Sequence, residues 1–378
     1  MPKDECYWWP NYFFCKGEEF NQFWQDFFEI KPRKLLFILG MGFDQRMNLG
    51  LKNIISSIKD SSVQCLLLNF NEGELSPSND YKDMIINNYN ELKGLLRPEY
   101  INEVNIKMID DNRRVGGRIV ANLFKDISSI EAFTDIVIDI SALPRNIYFP
   151  MLVQILDINK TNPLQNGKRR NIHVVVAESS QIDSKIIEQE LDEKADYIFL
   201  LSGEMKKTSK ANKPIVWFPV LGQNRGEQLS RVLELLESSS TYNSFLDLEI
   251  CPVMPFPSKE PRMPDFLIST YREPFFSSTG IEARNILYCD EQNPFDIYRQ
   301  IMESGFRYDK ALNLIDGCRK VVSTMSSKLI SLGALLAAYE GNMAVAYTGA
   351  QGYRINGLID EHSPVDLFEV WLDGEPYE

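Results

Sequence analysis

One design is written twice along this chain. Residues 35–46 read Leu-Leu-Phe-Ile-Leu-Gly-Met-Gly-Phe-Asp-Gln-Arg, an apolar run that breaks on glycine into a polar turn. Residues 215–226 read Ile-Val-Trp-Phe-Pro-Val-Leu-Gly-Gln-Asn-Arg-Gly and follow the same plan. A second matching pair comes later in each half: Ile-Asp-Ile-Ser-Ala-Leu-Pro-Arg at 138–145 and Val-Ser-Thr-Met-Ser-Ser-Lys at 322–328. Each ends an apolar stretch, offers hydroxyls and a cation, and opens a helical pattern. Gly40 to Ser141 and Gly222 to Ser326 span nearly the same length. An apolar strand ending in a glycine turn before a helix is the repeating piece of doubly wound sheets. Its recurrence at matched spacing points to internal duplication.

The alternation between these turns supports the same class. Strands are expected near 34–40, 63–69, 104–110, 134–140 and 171–177, with helices at 50–60, 80–95, 113–126, 147–158 and 181–191. The second half repeats the order, with strands near 215–221, 247–253, 284–289, 319–323 and 343–347. Its helices are expected at 226–238, 264–272, 294–304 and 327–340. Val, Ile, Leu and Phe dominate the strands, as they do where both faces of a sheet are covered. Strands separated by helices of this length make a parallel sheet. The expected fold is therefore α/β, with two tandem Rossmann-like doubly wound parallel-sheet units that arose by internal duplication. An aromatic helical extension at 1–34 precedes a first unit at 35–202; a polar, lysine-rich linker at 203–213 leads to a second unit at 214–378.

In the extension Phe20, Phe23, Trp24, Phe27 and Phe28 recur at helical spacing and make one aromatic face. Two readings stay open: the helix folds back on the first unit, or residues 1–34 anchor a partner protein. Membrane insertion is disfavoured by Glu18, Glu19, Asp26 and Glu29. A chain of 378 residues has room for two cores. Its net charge of −13 argues against non-specific binding to duplex nucleic acid, which needs a basic surface. No apolar run is long enough for a transmembrane helix, and the first residues lack the features of a signal peptide. The six cysteines show no Cys-x-x-Cys spacing, and Cys65, Cys251 and Cys289 lie in apolar runs, so buried free thiols in a reducing cytoplasm are expected. Two histidines, His173 and His362, are too few for a histidine-rich metal site; His173 is expected in a strand and His362 in a tail loop.

In a doubly wound sheet, ligands sit at the carboxyl ends of the strands, where strand order reverses. The turns flanking that crevice hold Gly40, Gly42, Asp44, Arg46, Asp139, Ser141, Arg145 and Asn146 in the first half. In the second they hold Gly222, Gln223, Asn224, Arg225, Ser323, Thr324, Ser326, Ser327 and Lys328. Gln45 stands where a dinucleotide fingerprint has its third glycine, and no Gly-x4-Gly-Lys-Ser/Thr occurs. The hydroxyl-rich turn 323–328 suits an anion, because a helix start offers N–H donors and the positive end of a dipole. The alternative is that Ser326 or Ser327 is a helix cap. Asp44 and Asp139 are open to two roles: holding Mg²⁺ against a phosphate, or fixing Arg46 and Arg145.

The Ser-Thr-Met-Ser-Ser-Lys-Leu segment, followed by a small-residue helix with Gly333, Ala334, Ala337 and Ala338, resembles the CARF superfamily. Those Rossmann-like ligand sensors of prokaryotic defence carry a Thr/Ser-x-Lys turn in an equivalent place. The resemblance implies a cyclic oligoadenylate ligand bound across a two-fold interface, with the tandem units making an internal pseudo-dimer. Asp139 to Arg145 would then be the matching turn, with arginine replacing lysine. The Gly-Gly before the Thr-Lys pair and an effector domain are absent from the pattern. The expected function is a cytoplasmic binder or sensor of a nucleotide or other phosphorylated small molecule, signalling to a protein partner in antiviral defence. The alternative is a metal-dependent enzyme acting on a nucleotide or sugar phosphate through Asp44 and Asp139. The nucleotide is the expected ligand, Mg²⁺ belongs to the enzyme reading, and the oligomeric state stays open.

Overall fold

The computed structural model describes residues 7–73, 76–111, 113–206, 213–239, 248–277, 279–360 and 363–378. They form two compact units, each assembled from separate stretches of chain. Unit I comprises Asn11–Glu190 and Ala350–Glu378; unit II comprises Met1–Pro10 and Leu191–Gly349. This corrects the expected boundaries at 34/35 and at the 203–213 linker, of which residues 207–212 lie outside the described residues.

Unit I begins with β1 (Phe13–Lys16), α1 (Glu18–Ile30), β2 (Lys34–Gly40), α2 (Leu49–Ile55) and β3 (Ser62–Asn71). It continues through α3 (Lys82–Leu95), β4 (Ile101–Lys107), the hairpin β5 (Ile109–Asp110) and β6 (Arg113–Arg114), and α4 (Gly116–Leu123). Next come β7 (Asp135–Asp139), α5 (Arg145–Thr161), β8 (Asn171–Glu178), α6 (Ser180–Asp183) and β9 (Ile186–Leu191). Unit II contains β10 (Asp196–Ser202), β11 (Ile215–Val220), α7 (Gly226–Ser238), β12 (Leu248–Ile250), β13 (Val253–Pro255) and α8 (Met263–Tyr271). It ends with β14 (Leu287–Cys289), α9 (Pro294–Ala311), β15 (Arg319–Thr324), α10 (Lys328–Glu340) and β16 (Ala344–Tyr347). The chain then returns to unit I as β17 (Ala350–Ile355) and β18 (Asp366–Asp373).

The sheet of unit I runs β1-β18-β8-β7-β2-β3-β4, and that of unit II runs β10-β16-β15-β11-β13-β14, with β12 also pairing β11. In each, the first parallel strand is central, the second and third lie to one side, and the fourth and fifth to the other. That is the doubly wound order of Rossmann-type sheets. The strand beside the fifth is antiparallel in both sheets: β18 on β8 in unit I, and β10 on β16 in unit II. Each of these comes from the chain that follows the other unit's fifth strand, so the sheet of unit I is completed only after the chain has passed through unit II. The helix expected at 181–191 is a single turn, α6, followed by β9, which pairs with β17. Its Glu, Gln and Leu residues favour helix, but pairing partners override so short a local preference.

The aromatic segment is structural. Phe20, Trp24, Phe27 and Phe28 are buried in the core of unit I with Phe37, Leu67, Val175 and Trp371. The first of the two readings therefore holds for α1, whose aromatic face is not an exposed anchor. Upstream, Trp9 is fully buried in unit II, edge-on to Tyr298 with ring centroids 5.4 Å apart.

His173, in β8, lies in the same core, and its Nδ1 is 2.7 Å from Glu369 Oε1 of β18. Burial drives the Glu369 carboxyl well above its ordinary range and the His173 imidazole well below its own, so the pair favours neutral forms. In the unfolded chain Glu369 ionises above about pH 4.5 while the folded side chain keeps its proton, so this group's contribution is lost as pH rises. His173 acts with the opposite sign below its ordinary pKa of 6.5. Glu369→Gln removes only the carboxyl titration and keeps a neutral hydrogen-bonding side chain. The variant is expected to gain on the wild type by up to about 1.4 kcal/mol per pH unit above the ordinary glutamate pKa. Urea midpoints between about pH 5 and 7 check this; curves that stay parallel would refute it.

Candidate ligand-binding turns

In unit I, β2 and β7 are neighbours in parallel register from Leu35↔Asp135 to Ile38↔Ile138, so the turns that follow them lie side by side. A Cβ on Gly40 would sit 2.6 Å from Leu143 Cδ2 and 2.9 Å from Phe70 Cε2, so a larger residue there would have to push these two side chains aside. A Cβ on Gly42 would touch Ala142 Cβ at 4.0 Å. The two expected turns are thus brought together. Asn88 of α3 braces the first of them, its amide donating to Gly42 O at 2.9 Å and Asp44 O at 3.0 Å.

Most polar groups here hold the turns to one another. Arg46 is buried and donates to Asp44 through Nε at 3.0 Å and Nη2 at 2.7 Å. The same guanidinium meets Asp183 at 2.9 Å and donates to Ala177 O at 3.1 Å. Burial opposes its charge, but Asp44 and then Asp183 outweigh that effect and hold it firmly protonated. Asp139 Oδ1 accepts the Ser141 N–H at 2.9 Å, and its Oδ2 lies against Gly50 of α2. Ser141 Oγ accepts the Ala177 N–H at 2.8 Å, and Arg145 stands 3.6 Å from Glu188. The Asp44 carboxylate therefore serves Arg46. Among the described residues, no cluster of three or more His, Cys, Asp or Glu is placed to hold a metal ion.

Unit II repeats the layout with different chemistry. Strands β11 and β15 pair from Ile215↔Arg319 to Val220↔Thr324. A Cβ on Gly222 would lie 1.9 Å from Met325 O, so the first turn rests directly on the backbone of the second. Tyr271 of α8 braces it, donating to Gly222 O at 2.5 Å and accepting the Arg225 N–H at 2.9 Å. This helix stands between the second and third strands, as α3 does in unit I. Asn224 adopts φ +56°, Ser323 Oγ accepts from Trp217 Nε1 at 2.9 Å, and Thr324 is buried. Ser327 is the cap of α10, its Oγ accepting the Ile330 N–H at 3.4 Å. Ser326, Lys328 and Arg225 are half-buried at the mouth, while Gln223 and Asn224 are exposed. Where unit I sets Asp44 and Asp183 around Arg46, the charged residues named in the turns of unit II are Arg225 and Lys328.

Asn88, Tyr271 and Asp183 were not legible as parts of these turns. Their single signal is a polar group on the inner face of a helix that the sheet has to satisfy. The cysteines behave as expected of buried thiols: Cys15, Cys65, Cys251, Cys289 and Cys318 are free and buried. Burial pushes Cys65 up to about 12 and Cys251 to about 11, away from thiolate chemistry at neutral pH. His362 lies outside the described residues.

No protein-family model matches the chain, and no curated protein matches its sequence. Among solved structures, it is similar to a protein described as a universal stress protein from Pseudomonas aeruginosa UCBPP-PA14, at 12% identity and a TM-score of 0.23, covering 83% of this chain and 92% of that one. A SAM-dependent O-methyltransferase from Thermotoga maritima is similar at 9% identity and a TM-score of 0.20, covering 48% of this chain and 55% of that one. Likeness at this level carries no argument about ligand or activity, and the resemblance to the CARF superfamily rests on the turns alone. Among the described residues, no helix is long and apolar enough to cross a membrane. The chain is a mixed α/β protein with two parallel-dominated sheets, both in Rossmann-type strand order.

Proposed function

We propose that this chain binds a nucleotide or other phosphorylated small molecule, with the phosphate held in unit II. The observation that carries the reading is the mouth of that unit. The start of the 13-residue α10, with Ser326, Ser327 and Lys328, faces the Gly222–Arg225 turn across a backbone contact only glycine allows. Helix-start N–H groups, hydroxyls and two cations suit a phosphate. The common strand order and the matching braces from Asn88 and Tyr271 support descent of both units from one duplicated ancestor. Sensing of a cyclic oligoadenylate, with a signal passed to a partner in defence, is the form this function takes if the CARF resemblance is one of descent. The enzyme reading is weaker, because the carboxylate it needs from Asp44 is engaged by Arg46.

The test is calorimetry on the intact protein with mononucleotides and cyclic oligoadenylates, beside a Mg²⁺-dependent turnover assay. Lys328→Ala and Arg225→Ala are each expected to weaken the bound nucleotide roughly 10- to 150-fold, the worth of one charge-assisted contact. The melting temperature should hardly move, since such charges add little to stability. Unchanged affinity in both variants sinks the phosphate assignment. Turnover that collapses in Asp139→Asn while affinity survives favours the enzyme.

A further inference from the structure

We propose that unit II carries a nucleobase subsite, an aromatic platform of Phe256 and Tyr288 beside the phosphate mouth. The subsite rests on the phosphate assignment to that unit and narrows the ligand from any phosphorylated molecule to a nucleotide. Both rings stand at the carboxyl ends of strands, Tyr288 within β14 and Phe256 one residue past β13. They meet edge to face with centroids 6.1 Å apart. Phe256 is nevertheless 52% exposed and Tyr288 44%. Single apolar side chains on a surface are ordinary, but two large rings in contact make a continuous apolar face.

The position of that face selects its occupant. Val220 of β11 pairs with Val253 of β13, and three residues past each come Gln223 and Phe256. Neighbouring strands lie about 4.8 Å apart, so the platform begins one strand away from the Gly222–Arg225 turn. Gln223 Nε2 donates to Met263 Sδ at 3.1 Å, which ties that turn to the start of α8, the helix that follows the Phe256 loop. The platform is also held in place. Glu291, just past β14, accepts the Ser258 hydroxyl at 2.7 Å and the Lys259 N–H at 2.8 Å, and its own N–H donates to Pro257 O at 3.0 Å. Rings fixed before binding lose little freedom when a ligand arrives. A flat π-face to stack on them is what a base offers and a sugar phosphate lacks. The matching strand ends of unit I are Asn71 and Lys107, both exposed and polar, so this platform belongs to unit II.

Calorimetry on the full chain with the four ribonucleoside monophosphates, their nucleosides and ribose 5-phosphate tests this. At least one monophosphate is expected to bind more tightly than ribose 5-phosphate, by a margin that survives added salt, since stacking involves no net charge. Phe256→Ala and Tyr288→Ala are each expected to weaken that monophosphate roughly 5- to 150-fold and to leave ribose 5-phosphate and the melting temperature unchanged. Tyr288→Phe keeps the ring and should keep the affinity. Lys328→Ala should instead weaken both phosphates alike, so the two assignments fail separately. A nucleoside that binds and is lost in Phe256→Ala, with ribose 5-phosphate not bound, supports the platform and sinks the phosphate turn. Ribose 5-phosphate bound as tightly as every monophosphate overturns the platform and keeps the phosphate turn. Binding of no nucleotide or nucleoside, or unchanged nucleotide affinity in both alanine variants, also overturns the platform.

Discussion

Deleting residues 366–378 is expected to unfold unit I and leave unit II, whose sheet contains none of them, with its own transition. β18 is an interior strand, paired antiparallel with β1 on one side and with β8 on the other. Phe368, Val370 and Leu372 are buried on it, each worth about 1.5–3 kcal/mol of apolar burial. The polar losses add to this. Arg33 would lose Glu375, which lies 2.6 Å from its Nη1, and would keep Asp135 as its partner at 3.3 Å. Arg169 and Asn159 would lose the buried Asp373 carboxylate, and His173 would lose Glu369. Together these rival the whole stability of a typical domain, about 5–15 kcal/mol. Hydrogen exchange checks the result: protection should vanish across β2, β3, β7 and β8 and persist in β11 and β15. A truncated protein with full-length protection in β8 would show that β18 is dispensable.

Trp24→Ala should cost about 3–5 kcal/mol, the usual range for emptying a large aromatic site. The Trp24 ring is fully buried, with Phe28 stacked at 5.7 Å and Phe27 edge-on at 5.4 Å. The His173 ring lies 5.1 Å away as well, so the cavity would open beside the buried His173–Glu369 pair. Ile30, 72% exposed at the end of the same helix, supplies the control, since its replacement by alanine should stay within about 0.5 kcal/mol. Urea unfolding of both variants separates the cases. A loss below about 1 kcal/mol for Trp24→Ala would mean the aromatic face is a surface after all.

Much of the fold was legible because the parallel strands are covered on both faces. A strand such as Leu35–Leu39 or Ile136–Ile138 must be apolar at every position, and that leaves an unbroken run. The second glycine turn was legible for a related reason: Gly222 stands where one turn presses on the backbone of the next. A backbone that close excludes any side chain. The site was less legible. Asp44 was open to metal or arginine, and only the fold showed Arg46 folded onto it with Asp183 arriving from beyond β8. Ser327 was open to anion or cap, and it caps α10.

The local pattern alone determined that this chain builds two doubly wound units, where their central strands run, and which turns meet at the strand ends. Apolar runs, helical spacing and glycine act over a few neighbouring residues, so they can be read in order along the chain. Only the tertiary structure decided where each unit ends. Asp366–Asp373 completes a sheet begun more than half the chain earlier, and Asp196–Ser202 leaves the unit it follows. An antiparallel strand at that position earns its place by pairing with an edge, and the edge it finds is set by distance in space. Nothing in its own residues records which one.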